Sequence, residues 1–112
     1  SRGLGDVYKR QTYDIAEQPS YYNSTPEGLV TIFKALSDSV RLQIMNYVLE
    51  KPSTTQSLAQ ILLMTESSVS RHLQILKDAK LLKARKVKKF VLYEPTELVT
   101  QLMPNFYRFF RN

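Results

Sequence analysis

Ser67, Ser68, Ser70, Arg71 and Gln74 crowd one short stretch of the chain. Small hydroxyls, a planar guanidinium and a carboxamide are the groups that read base edges in a DNA major groove. Arg grips guanine, Gln grips adenine, and small residues let a helix approach. Between them, Val69, His72, Leu73 and Leu76 fall at i, i+3, i+4 and i+7, which is one face of a helix. The spacing therefore predicts an amphipathic helix over Thr65–Leu76, apolar inside and polar outside. Such a face suits a major groove or plain contact with water. The flanking sequence has to decide between the two.

A second, shorter helix fits Thr55–Leu62 upstream, with Leu58, Ile61 and Leu62 inward. Ser53 or Thr54 can cap it, and Ser53-x-x-Gln56 matches a capping box. Thr55 and Gln56 then sit at a helix N-terminus, where free amides favour a phosphate. Only Leu63–Thr65 separates the two helices, as in a helix-turn-helix. Downstream, Lys83–Tyr93 reads as a hairpin. Phe90 and Leu92 alternate with Val91 and Tyr93, and the expected tip is Val87-Lys88-Lys89.

Charge supports a polyanion partner. The 112-residue chain carries a net +6. Arg71, Lys77, Lys80, Lys83, Arg85, Lys86, Lys88 and Lys89 face only Asp78 within Arg71–Lys89, and the rest of the chain is near neutral. A basic stripe on one helix and its hairpin is an electrostatic footprint for nucleic acid. Arg85, Lys86, Lys88 and Lys89 are the expected phosphate contacts. Glu66 is out of place there, unless it accepts from a cytosine amine or favours the helix N-terminus.

These four ordered segments carry a resemblance. Phe33–Ile44, Ser57-Leu58-Ala59, Ser67–Leu76 and Arg85–Tyr93 resemble the ArsR-type (arsenic-repressor-like) bacterial transcription regulators, over about Leu29 to Glu94. The resemblance implies a mainly α fold with a small β-hairpin wing, a winged helix-turn-helix. It also implies double-stranded DNA as partner, contacted at Ser67, Ser70 and Arg71. The family's first and last helices form a homodimer interface. Here that implies Leu29, Ile32 and Phe33 on the first helix and Leu98, Leu102, Phe106 and Phe110 on the last. One departure stands out. The family usually has glycine before the recognition helix, after it and at the wing tip, where this chain has Leu63, Lys80 and Lys88.

The remaining chain fits one domain. Residues 1–25 are expected to be disordered. Residues 1–11 resemble the translation of a sequencing adapter and are set aside as an artefact, and residues 12–25 have the composition of a linker or arm. The domain spans 26–112. Thr25, Pro26 and Glu27 suit the cap and first turn of a helix whose stripe is Leu29, Ile32, Phe33 and Leu36. Ser37-Asp38 ends it and caps a second helix to about Glu50, with Val40, Ile44, Tyr47 and Val48 inward, Leu42, Met45 and Leu49 on an adjoining strip, and Lys51-Pro52 as its stop. After the wing, Pro95 suits the start of a last helix, which Pro104 breaks or kinks. Its surplus of apolar and aromatic residues favours a dimer over a monomer with an exposed patch.

Other chemistries find little support. The chain has no Cys and one His, so nucleophile–base pairs and thiolate metal sites lack their parts. No metal ligand set, cofactor motif or glycine-rich phosphate loop is expected, and His72 reads as a partly buried structural residue. No apolar run is long enough to span a bilayer, and a reducing cytoplasm fits the lack of cysteine. Nothing in the sequence names an effector. The best reading is a sequence-specific, dimeric DNA-binding regulator acting as a repressor, either whole or as the C-terminal part of a longer regulator. The alternative is a winged-helix module whose basic surface binds protein or RNA.

Overall fold

A computed structural model describes residues 26–102, with side-chain surroundings for residues 28–101. Among the described residues four helices precede a hairpin: α1 (Pro26–Leu36), α2 (Ser39–Glu50), α3 (Thr55–Leu62) and α4 (Glu66–Asp78), then β1 (Leu82–Val87) and β2 (Phe90–Pro95). A short π-type turn, Leu98–Leu102, follows. The fold is a winged helix-turn-helix, mainly α with one antiparallel hairpin.

Local chemistry sets most boundaries. Asp38 starts α2, its carboxylate accepting from the amides of Val40 and Arg41. Thr54 caps α3 and Thr65 caps α4, each hydroxyl satisfying a first-turn amide that has no intrahelical acceptor. The α3 capping box pairs Thr54 with Ser57, which corrects the expected Ser53–Gln56 pairing. Ser57 oxygen is short enough to reach back to the Thr54 amide at 3.2 Å. Ser53 instead lies in an isolated bridge to Tyr93. Pro95, expected to open a helix, ends β2. A strand end tolerates its missing amide as well as a helix start does. Thr25, Pro104, Phe106 and Phe110 lie outside the described residues.

The core gathers one face of each helix: Ile32 and Ala35 from α1, Ile44, Met45, Val48 and Leu49 from α2, Leu58 and Ala59 from α3, and Val69, Leu73 and Leu76 from α4. Leu81, Leu82, Leu98 and Val99 close it from below the wing. Two inward expectations are corrected. Tyr47 is exposed, and Met45 with Leu49 takes its place. Ile61 is also exposed, and Ala59 is buried instead. In both helices the buried arc lies about one position round from the sequence stripe. Small Ala59 permits close helix packing that a hydrophobicity pattern weights lightly.

All three positions where the family favours glycine are left-handed. Leu63, Lys80 and Lys88 have φ of 56°, 65° and 57°, and they are the positive-φ non-glycine residues among those described. The backbone thus keeps the geometry of the turns without the residue that adopts it freely, at about 1–2 kcal/mol each.

Candidate nucleic-acid interface

The candidate reading face is built by burial on its opposite side. Val69, Leu73 and Leu76 of α4 are fully buried, so the helix is clamped by its apolar arc. Ser67, Ser70, Arg71 and Gln74 follow at i, i+3, i+4 and i+7 and are exposed. Ser68 is half-buried, and its amide donates to the Thr65 hydroxyl at 3.2 Å. The Thr65 and Ser67 hydroxyls lie 3.3 Å apart. Gln74 is occupied: its amide donates to Asp78 at 2.7 Å. It must break that bond to reach a base, whereas Arg71 has no such tie to break among the described side-chain pairs.

In α3, Thr55 is half-buried and Gln56 exposed. The capping box serves Ser57, which leaves first-turn amides for an outside acceptor.

The hairpin register divides the wing cations. Val87 faces Phe90, Arg85 faces Leu92 and Lys83 faces Glu94, while Lys86 faces Val91 and Ala84 faces Tyr93. Alternation puts Lys83 and Arg85 on one face and Lys86 on the other. Arg85 donates to Glu94 at 3.2 Å, so part of its charge is already answered. Glu94 lies on the strand after the basic tip, and sequence reasoning gave it no role. Lys88 and Lys89 form the tight turn, and the Lys89 ammonium sits 5.6 Å from the Phe90 ring centre.

Behind the reading face lies a polar cluster that sequence reasoning also missed. Arg41 donates to the carbonyls of Ala35 at 2.6 Å and Lys34 at 3.4 Å, and approaches Nδ1 of His72 at 3.1 Å. Guanidinium has no acceptor, so this contact is a hydrogen bond only when Nδ1 of His72 carries no proton. Asp38 lies 3.9 Å from Arg41. The Arg41 amide donating to it does most to hold the Asp38 carboxyl below its ordinary value. Partial burial opposes this, and the Arg41 charge and the Val40 amide reinforce it. Among the described residues no three His, Asp or Glu side chains converge into a metal site, and no helix is long and apolar enough to cross a membrane.

Known proteins share this arrangement. Residues 38–84 match the family model of bacterial regulatory proteins, arsR family. The domain is a winged helix-turn-helix whose segment 38–84 is similar to the ArsR family. It is similar to the homodimeric winged helix-turn-helix DNA-binding domain of Mb0332 from Mycobacterium bovis, a possible ArsR-family transcriptional regulator. That match has 25% identity and a TM-score of 0.67, and covers 74% of this chain and 78% of the other. HlyU from Vibrio cholerae N16961 is also 25% identical, with a TM-score of 0.65 and coverage of 77% and 95%. An ArsR-like regulator from Rhodococcus sp. RHA1, 24% identical with a TM-score of 0.63 and coverage of 74% and 77%, shares the fold. No curated protein matches the chain. The ArsR-type segment and these neighbours support a DNA-binding transcriptional regulator and point away from an enzyme.

Proposed function

We propose that this ArsR-type domain is a homodimeric, sequence-specific repressor that works in the cytoplasm by occupying double-stranded operator DNA. The observation that carries the reading is the split of α4. Three fully buried residues fix the helix, and Ser67, Ser70 and Arg71 are exposed along its other side. In this reading Arg71 reads a base, Ser67, Ser70 and Gln74 line the groove, and Ser68, Thr55 and Gln56 lie near phosphates. Lys86, Lys88 and Lys89 neutralise backbone on either side of the wing, with Arg85 a lesser contributor because of Glu94.

The Mycobacterium bovis neighbour is homodimeric, and α1 exposes Leu29, Val30 and Phe33 on one arc. Ile32 and Leu98 lie in this chain's own core beneath that region, so they would support the interface from behind. Leu102, Phe106 and Phe110 complete the proposed interface.

The test is selection of binding sites from a random duplex pool. The expected product is an inverted repeat whose half-sites lie about one helical turn apart, roughly 34–36 Å. Recovery of no preferred sequence would reject the reading. Loss of transcription in a reporter carrying the selected site is the expected sign of repression.

A further inference from the structure

Arg41 joins three elements through one side chain. It sits at the start of α2, holds the last-turn carbonyls of α1 through Lys34 and Ala35, and meets His72 on α4. Its side chain is only 14% exposed. Its neighbour in the contact, His72, adjoins Arg71, the residue placed at the base edge. The packing of α4 against α1 and α2 therefore includes a contact between a guanidinium and an imidazole nitrogen.

That acceptor works in one protonation state only. Neutral His72 offers Nδ1 a lone pair. Protonated His72 has a donor on each nitrogen, so Nη1 of Arg41, 3.1 Å away, loses its acceptor and faces a like charge. The surroundings offer the proton a place nonetheless. From α2, Asp38 faces the pair as the single carboxylate of the cluster, and it feels the His72 charge. From α1 comes the Lys34 carbonyl, its ammonium being on an exposed residue. The α3 segment contributes no charged residue, and β1 brings only the exposed Lys83, Arg85 and Lys86. On α4 itself the flanking charge is Arg71. Protonation thus exchanges an Arg41–His72 hydrogen bond for repulsion from Arg41 and attraction toward Asp38, the residue that caps α2.

We infer that Arg41 and His72 are positioning residues for DNA reading, and that sequence-specific binding requires His72 to be neutral. The inference rests on the DNA-binding reading above. It places a proton-sensitive latch between the helix proposed to pair the protomers and the helix proposed to read bases. Imidazole changes charge between about pH 5 and 8, a range in which Asp38, held low, stays ionised.

The experiment compares the unmodified protein with His72→Asn between pH 8 and pH 5, on the selected duplex and on a scrambled one. Asn places an oxygen where Nδ1 stood and cannot take a proton. The expected result for the unmodified protein is at least a tenfold fall in the ratio of specific to non-specific affinity on acidification, with helical circular dichroism unchanged. The Asn variant should hold its ratio. Equal loss in both proteins overturns the latch. If His72→Asn does not fold, Arg41→Gln replaces it, because a neutral carboxamide can donate to imidazole or accept from imidazolium. Its ratio should also be flat with pH, and a fall in this variant as large as that of the unmodified protein overturns the inference.

Should the unmodified protein prefer no duplex at pH 8, the DNA reading fails separately. The latch is then followed in the free protein by NMR. Amide resonances of α4 and of Lys34–Arg41 should move together with the His72 ring resonances in the unmodified chain. Independent movement overturns it.

Discussion

The backbones of Ser53 and Tyr93 exchange two hydrogen bonds, Ser53 N–H to Tyr93 O at 3.1 Å and Tyr93 N–H to Ser53 O at 2.8 Å. This couples the segment leading into α3 to the second strand of the wing. A lone two-stranded hairpin is marginal in water, and Ser53 gives this one a third point of attachment. The same residue precedes the Thr54 cap, so wing and helix-turn-helix share an anchor. Ser53→Pro removes the donor and orphans the Tyr93 carbonyl, at an expected cost of about 1–3 kcal/mol in denaturant unfolding. Ser53→Ala keeps both backbone bonds and loses only the hydroxyl bond to the Lys51 carbonyl, so it should cost less. Equal costs would show that the bridge carries no weight.

Leu63 is 92% exposed and left-handed, so glycine there loses almost no packing and relieves the backbone. Leu63→Gly is expected to stabilise the domain by up to about 1 kcal/mol, the strain relieved less the extra chain entropy of glycine. Leu63→Val is expected to destabilise, because a β-branched side chain suits positive φ worse. Midpoints of urea unfolding check both. Lys80→Gly should follow Leu63→Gly, since Lys80 is also exposed.

These turns also show what the sequence reveals and what it does not. The helix order, the Asp38 cap and the hairpin are encoded locally, in side chains that satisfy first-turn amides or alternate along a strand. They could therefore be read directly. The strain at Leu63, Lys80 and Lys88 could be flagged only through the family's glycine positions, because nothing local favours positive φ there. Tyr47 and Ile61 fail for a related reason. Hydrophobic periodicity gives a helix's apolar arc but not which edge of that arc its neighbours cover. The Arg41–His72 contact joins residues far apart in sequence, and the Arg85–Glu94 pair depends on hairpin register. Both needed the three-dimensional arrangement to appear.

Asp38 gives the domain an acid limit. Its folded value is depressed, so the stability it contributes is present above the unfolded carboxyl value of about 3.9. That stability is lost as pH falls through the lower folded value. Asp38→Ala should cost about 1 kcal/mol at neutral pH through the lost cap. Asp38→Asn keeps a capping oxygen, so it should lose less there and show a weaker stability decline from about pH 4 downward. Unfolding curves at several pH values check this, and parallel declines in wild type and Asn variant would contradict it.

Dimerisation is expected to depend on the exposed arc of α1. Leu29 and Phe33 are 48% and 58% exposed, so replacing both with serine disturbs little of the protomer's own core. Sedimentation equilibrium at tens of micromolar, on the order of ordinary dimer affinities, should show a dimer for the unmodified chain and a monomer for the variant. A monomeric unmodified chain would remove α1 as an interface.

The proposed function divides labour between Arg71 and the wing. A phosphate contact releases counterions, so each one lost lowers the slope of log affinity against log salt by about 0.9, alike on every sequence. Lys88→Ala and Lys89→Ala are expected to act this way. Arg85→Ala should change the slope less, because Glu94 already holds the guanidinium at 3.2 Å. Glu94→Gln should steepen it by freeing Arg85 and removing a negative charge. Arg71→Ala belongs to a different class. Its loss should cost roughly 1–3 kcal/mol on the selected site and flatten discrimination at one base pair. In a dimer each effect appears in both half-sites. Fluorescence anisotropy on selected and scrambled duplexes at several salt concentrations separates the two patterns. If Arg71→Ala loses the same affinity on both duplexes as Lys88→Ala does, α4 is a charged surface rather than a reader, and a protein or RNA partner becomes the better account of the basic stripe.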